Sequence, residues 1–354
     1  MTFLTSKDYQ QLTRYYSLLS AWFCIAIGSL VLVGGWAFDI EVLRTLLPNL
    51  VSMKANTALA FVLAGMALAL HHSQLPRILA DICSVLVMLI GALTLIQIIF
   101  DVQLGIDEML FLDPYTVHGA AGRMATISTC CFILIGVALL ALQSAKNGWS
   151  WLVHSCALLV LINTFITILG YLYGINSLYQ VSGYNPMAIH TALLFFCMAI
   201  GLIWFYPELG FMRLATADTG AGVLMRRLLP AVIFLPPVLG WLAFKGQQLA
   251  WYDMAFSLAL FAASNVVVFS ILTWWAARAI EQADADKNKA EQISSWQQAI
   301  LNSADLTIIS TNLQGVILTC NAGALKQLGY QEQDIIGKVT PILFHDALEL
   351  QQRA

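Results

Sequence analysis

Long apolar runs broken by short polar segments dominate the chain up to residue 277. Runs of spanning length fall at 17–37, 53–70, 79–100, 124–143, 151–172, 187–206, 228–244 and 254–277. A helix of about 20 apolar residues crosses a hydrocarbon core of roughly 30 Å, so the pattern predicts eight membrane helices. The second and seventh runs are short, and Pro236-Pro237 predicts a kink in the seventh. The first run follows Lys7 and Arg14 with no small-residue cleavage site behind it, which predicts a retained signal anchor. After Trp274-Trp275 the pattern changes to a polar, helix-favouring run over 278–303 that prolongs the last span. Within it Ile293, Trp296 and Ile300 repeat at three- and four-residue spacing, which suits either a dimer seam or a solvated single helix.

Composition agrees with a membrane protein. Hydrophobic residues make up 59% of the 354 and charged residues 10%, against roughly 45–50% and 25% in soluble domains. A net charge of -3 provides no basic footprint, which excludes nucleic acid as a partner class and leaves membrane lipid as the obligate one. The seven cysteines form no CxxC pair and lie mostly in apolar runs, as small hydrophobes with free thiols. With the N-terminus in the cytoplasm, inner segments hold Lys7, Arg14, Arg77, Lys146, Arg213, Arg226, Arg227 and Arg278. Outer segments hold Arg44, Lys54, Arg123 and Lys245. Eight against four places both termini in the cytoplasm.

The first six spans contain an internal repeat. Asp39–Leu43, Gly105–Met109 and Gly174–Leu178 follow the odd-numbered spans. Met53-Lys54-Ala55-Asn56-Thr57, Met124-Ala125-Thr126-Ile127-Ser128 and Met187-Ala188-Ile189-His190-Thr191 open the even-numbered ones. Each unit is then a helical hairpin with its loop on the outer side, three of them around a pseudo-threefold axis. Positions i, i+3 and i+4 share a helix face. Met53, Asn56 and Thr57, then Met124 and Ser128, then Met187, His190 and Thr191 therefore converge as a candidate ligand pocket in the outer leaflet. The bland alternative is that these polar groups only cap the helices or hold them together.

Thioether and imidazole suit a soft metal such as copper, with His118 and His190 as candidate ligands. His71, His72 and His154 at the inner ends admit a haem arrangement. No spacing matches a specific metal signature, and interfacial histidines that simply hydrogen-bond are the reading preferred over either metal. Deeper polar residues are few, with Thr94, Gln97, Asn163, Thr164, Thr167 and Asn265 falling within spans, and no chain of Asp, Glu or Lys crosses the membrane. That pattern argues against a proton-coupled transporter.

Near the C-terminus, Leu306–Thr311 and Val316–Cys320 predict paired strands around Asn312–Gly315. Asn321–Tyr330 predicts a short helix with a glycine stop. The Asn-Ala-x-Ala entry at Asn321, Leu-Gly-Tyr at 328–330 and Ile-Ile-Gly-Lys at 335–338 make this succession resemble the first half of a PAS domain. The strands that would complete such a sheet are absent, which implies a piece of a longer protein.

The membrane part, with its Leu-Met-Arg-Arg-Leu-Leu-Pro stretch at 224–230, resembles the N-terminal sensor regions of bacterial signalling proteins. Those regions precede PAS domains and then a histidine kinase or a GGDEF/EAL cyclic-di-GMP module. More distantly it resembles the MHYT sensors, without the Met-His-Tyr-Thr string itself. The expected fold is an all-α integral membrane bundle of about eight helices, a threefold hairpin repeat plus two, followed by a linker helix and a partial α+β PAS domain. The expected boundaries are 1–16 for the cytoplasmic N-terminus, 17–206 for the six-helix sensor and 207–277 for a cytoplasmic loop and helices seven and eight. The linker takes 278–303 and the PAS segment 304–354. The expected role is a homodimeric sensory input module of the bacterial inner membrane, with its small-molecule or metal ligand unassigned. The alternative is a haem- or copper-binding redox sensor or electron carrier. No nucleophile–base pair, P-loop or kinase signature occurs.

Overall fold

The computed structural model describes residues 6–46, 50–114, 120–179, 185–217, 219–303 and 307–344. It divides between Ala276 and Ala277 into two compact units.

The first unit is helical. α1 (Ser6–Ser29) runs on as a π-helical stretch, Leu30–Ala37, and the short α2 (Glu41–Thr45) follows. α3 spans Ala55–His72, α4 Arg77–Phe100, and α5 Thr126–Ala141 with a 3-10 extension Leu142–Asn147. α6 spans Ser150–Tyr173 and α7 Ile189–Ile203. The short α8 (Gly210–Thr216) leads to α9 (Gly220–Gln248) and the 50-residue α10 (Met254–Ser303). Among the described residues, seven helices are long and apolar enough to cross a membrane, and the chain is a multi-pass membrane protein.

Two spans differ from the sequence expectation. The sixth is helical only over the 15 residues of α7, since Pro186 precedes it and Pro207 follows. The seventh begins earlier than expected, because Thr219 caps Gly220 onward through a hydrogen bond from the Gly222 amide. The Arg226 guanidinium then satisfies the Ala215 and Ala217 carbonyls of the preceding segment. Pro230, Pro236 and Pro237 all fall inside α9, which stays a single helix.

α1 packs on α3, α4 on α5 and α6 on α7, and α3–α4, α5–α6 and α7–α1 contacts close the ring. Small residues set the pair crossings. A Cβ on Gly28 would lie 2.9 Å from the Ala58 carbonyl, and one on Gly91 3.0 Å from the Thr129 carbonyl. Ala58 and Thr129 each lie five residues after their helix's opening methionine. Thr94, Thr164, Asn163 and Asn265 turn their polar groups back onto carbonyls of their own helices, so lipid meets little unsatisfied polarity.

α3, α5 and α7 form the inner ring and touch one another. Phe61, Phe132 and Phe195, each eight residues after Met53, Met124 and Met187, meet ring to ring with centroids 4.6–5.0 Å apart. Below them Ala64, Ile135 and Met198, then Leu68, Leu139 and Leu202, fill the axis, all fully buried.

In the second unit, β1 (Ile309–Thr311) pairs antiparallel with β2 (Ile317–Cys320). Asn312 builds the turn by accepting from the Gln314 and Val316 amides, and Gly315 takes the left-handed φ of 78° that the turn requires. Residues 337–339 add backbone bonds to Ile317. α11 (Ala322–Leu328) starts at Asn321, whose side chain accepts from the Ala324 and Ile308 amides and donates to the Leu301 carbonyl. It stops at Gly329, φ 71°. α12 (Glu332–Ile335) and a 3-10 turn, Pro341–Phe344, follow. Ile317, Ala324 and Ile335 form the small buried core.

Candidate functional site

The sequence-predicted residues lie in the opening turns of α3, α5 and α7, and all eight in these turns are buried. Thr57, Ser128 and Thr191 stand one turn before the three phenylalanines on the same helix faces. Met53, Met124 and Met187 stand one turn further out, each no more than 2% exposed. The axis therefore carries a methionine layer, a hydroxyl layer and an aromatic floor.

Asn56 and His190 flank the hydroxyl layer, each one residue before its threonine. Asn56 Oδ1 accepts from the Thr57 amide at 2.8 Å, which leaves Nδ2 without a partner among the described residues. Both ring nitrogens of His190 also lack one. Asn56 is 7% exposed and His190 6%. Buried polar groups are nearly always hydrogen-bonded, so two such residues at matching positions of α3 and α7 stand out. The three helix starts add to this. The N-cap residues Lys54, Ala125 and Ala188 are extended, and none of the three accepts an amide with its side chain. The first four amides of each helix have no intrahelical acceptor.

A collar closes the same end. Lys54 forms an ion pair with Asp113, both nearly fully buried, and Asp113 also accepts from the Gly122 amide. Arg123 pairs with Asp107 at 2.9 Å, and Gln97 donates to the same carboxylate oxygen. Asn185 donates to the Ala120 and Arg123 carbonyls. The Trp36 indole donates to the Met53 carbonyl at 3.0 Å, and the Tyr171 hydroxyl to the Met187 carbonyl at 2.7 Å. Segments of all three hairpins thus tie the methionine layer down.

Sequence reading missed the aromatic floor and the collar. The floor had a signal, a phenylalanine eight residues after each opening methionine. The collar had none, since loop charges ordinarily face water. His118 lies outside the described residues. Among those described, no group of three or more His, Cys, Asp or Glu is assembled. At the opposite end His72 Nε2 is hydrogen-bonded to Ser17 Oγ at 3.0 Å, and both His71 and His72 pack on Phe205. His154 packs against Gly210.

The comparisons speak to one end of the chain. Residues 297–354 match the family model described as the PAS fold. No curated protein and no solved structure matches the chain. A PAS segment, a sensory and signalling module, therefore follows a set of membrane helices, an arrangement consistent with a membrane sensor.

Proposed function

We propose that this chain is the sensory input module of a bacterial inner-membrane signalling protein, with both termini in the cytoplasm. The three hairpins are repeats of one unit around a pseudo-threefold axis. The polar layer at their outer ends is the input site, and Met53, Asn56, Thr57, Met124, Ser128, Met187, His190 and Thr191 are its residues. The PAS segment passes the signal to an output, a histidine kinase or a cyclic-di-GMP module, and the chain works as a homodimer.

The observation that carries this reading is α10. One uninterrupted helix of 50 residues begins as a membrane span, and its last seven residues fall within the PAS-matching stretch 297–354. At 1.5 Å per residue it is about 75 Å long, a rod able to transmit a shift or rotation. Ligand binding has to favour one of two bundle packings for this to work.

The test uses the full chain in lipid nanodiscs with a spin label at Ile293→Cys. Ser128→Leu fills the hydroxyl layer and is expected to change the label-to-label distance distribution. An unchanged distribution in a well-folded Ser128→Leu protein overturns the relay. A second reading, a soft-metal site, has the three thioethers and His190 in its favour.

A further inference from the structure

We infer that the polar layer takes a small oxyanion, a carboxylate or an inorganic one, and not a metal cation. The inference rests on the reading of that layer as the input site and names its ligand chemistry.

Three helices of 18, 16 and 15 residues begin around this layer, and none has a bond from its N-cap side chain, although Asn56 takes the Thr57 amide of α3. A helix N-terminus carries roughly half a positive charge, together with amide hydrogens that point along the axis. Three such ends around one point favour a negative ligand and oppose a cation. The second observation is independent of the dipoles. Asn56 Nδ2, a pure donor, is more than nine-tenths buried with nothing to donate to. Its oxygen is already committed to the Thr57 amide, so the group can serve only an acceptor. His190, equally buried and unpartnered, offers an N–H in any protonation state. The Ser128 and Thr191 hydroxyls can each donate as well, while the Thr57 hydroxyl donates to Asn56 Oδ1 at 3.5 Å.

The collar adds no net charge at the helix starts, because each of its two cations is paired with a carboxylate. Lys54 and Arg123 occupy positions next to the helix starts, and their carboxylate partners come from the loop between α4 and α5. Among the described residues, no acidic side chain lies in the opening turns of α3, α5 or α7. The phenylalanine floor and the methionine layer exclude bulk water, which strengthens each donor-to-anion hydrogen bond.

The test is thermal unfolding of the full chain in nanodiscs with formate, acetate, nitrate and phosphate, each matched against chloride at equal ionic strength. Copper(I) under reducing conditions forms a separate arm. At least one oxyanion is expected to raise the midpoint saturably, and the arms separate carboxylate from inorganic sources. Asn56→Asp keeps the size but sets a negative charge in the layer, and is expected to weaken that oxyanion at least tenfold. His190→Leu is expected to do the same, with His190→Gln restoring part of the affinity. Three results overturn the inference: no saturable shift with any oxyanion, a shift that neither substitution alters, or a His190-dependent stabilisation by copper(I). The last would leave the layer as an input site of opposite charge. Oxyanion binding without movement of the α10 label would instead sink the relay and leave this inference standing.

Discussion

Phe132 touches both Phe61 and Phe195, and the three fully buried rings meet on the axis of the inner ring. Phe132→Ala leaves a cavity bounded by two rings that cannot both move into it. The expected cost is about 3–5 kcal/mol, read as a lowered unfolding midpoint in mild detergent. The Lys54–Asp113 pair behaves differently. Removing one charge strands the other in a buried position, at about 3–5 kcal/mol, whereas removing both relieves the stranded charge. Lys54→Met is thus expected to destabilise strongly, and Lys54→Met with Asp113→Leu to recover most of the loss in the same assay. In the second unit, partial burial and then the nearby Glu332 raise the Cys320 thiol above its ordinary range. The thiolate is the reactive form, so iodoacetamide labelling at pH 8 is expected to lag a free thiol and to rise as the pH goes up. Glu332→Gln should narrow the lag, and equal rates in both proteins would remove the electrostatic part of this account.

Among the elements, the PAS-matching hairpin was the most legible in sequence. Its turn and caps depend on local chemistry: Asn312, Gly315, Asn321 and Gly329 each do what their residue type predicts at that position. The membrane helices were legible in approximate place because lipid enforces a length, although seven of the eight expected spans reach that length among the described residues. Their ends were not, since Thr219 and the prolines around α7 decide those by capping and chain stiffness. The opening turns of the site could be read from the shared methionines, but their burial could not. Burial depends on the collar, where Asp107 and Asp113 reach cations from elsewhere in the chain, and no local pattern encodes that. The helix crossings lie between these cases. Gly65 and Gly136 sit twelve residues after their opening methionines, and a Cβ there would lie within 2.7 Å of Ala21 or Met88. Gly136→Val is expected to force α4 from α5 and lower the unfolding midpoint by several degrees. The same change at Gly105, where a Cβ meets nothing within 4 Å, isolates the backbone cost of a positive φ from the crossing cost.

At the scale of the whole molecule, two kinds of helix share one chain. α3 and α5 are more than half buried in the bundle, while few residues in the membrane parts of α9 and α10 are fully buried. Inside the membrane that exposure is unremarkable, because lipid covers it. Past Gln282 lipid cannot, yet Ile293, Trp296 and Ile300 remain exposed on one face of a polar helix. Single exposed apolar residues are common on protein surfaces, but these three recur at the spacing of a coiled-coil seam. Two copies held in one membrane present these helices parallel and in the same register, so pairing needs no search in orientation. The proposed homodimer therefore predicts a periodic cross-linking pattern in a background without native cysteines. Ile293→Cys and Ile300→Cys should form disulfide-linked dimers under mild oxidation, and Gln297→Cys, on the flank, should do so several-fold less. Trp296→Glu should suppress both dimers by placing two like charges at the seam, with the cross-link yield at Ile293 falling at least several-fold. Uniform cross-linking along 293–300 would mean two helices colliding by diffusion, and the linker would then be a solvated rod in each copy.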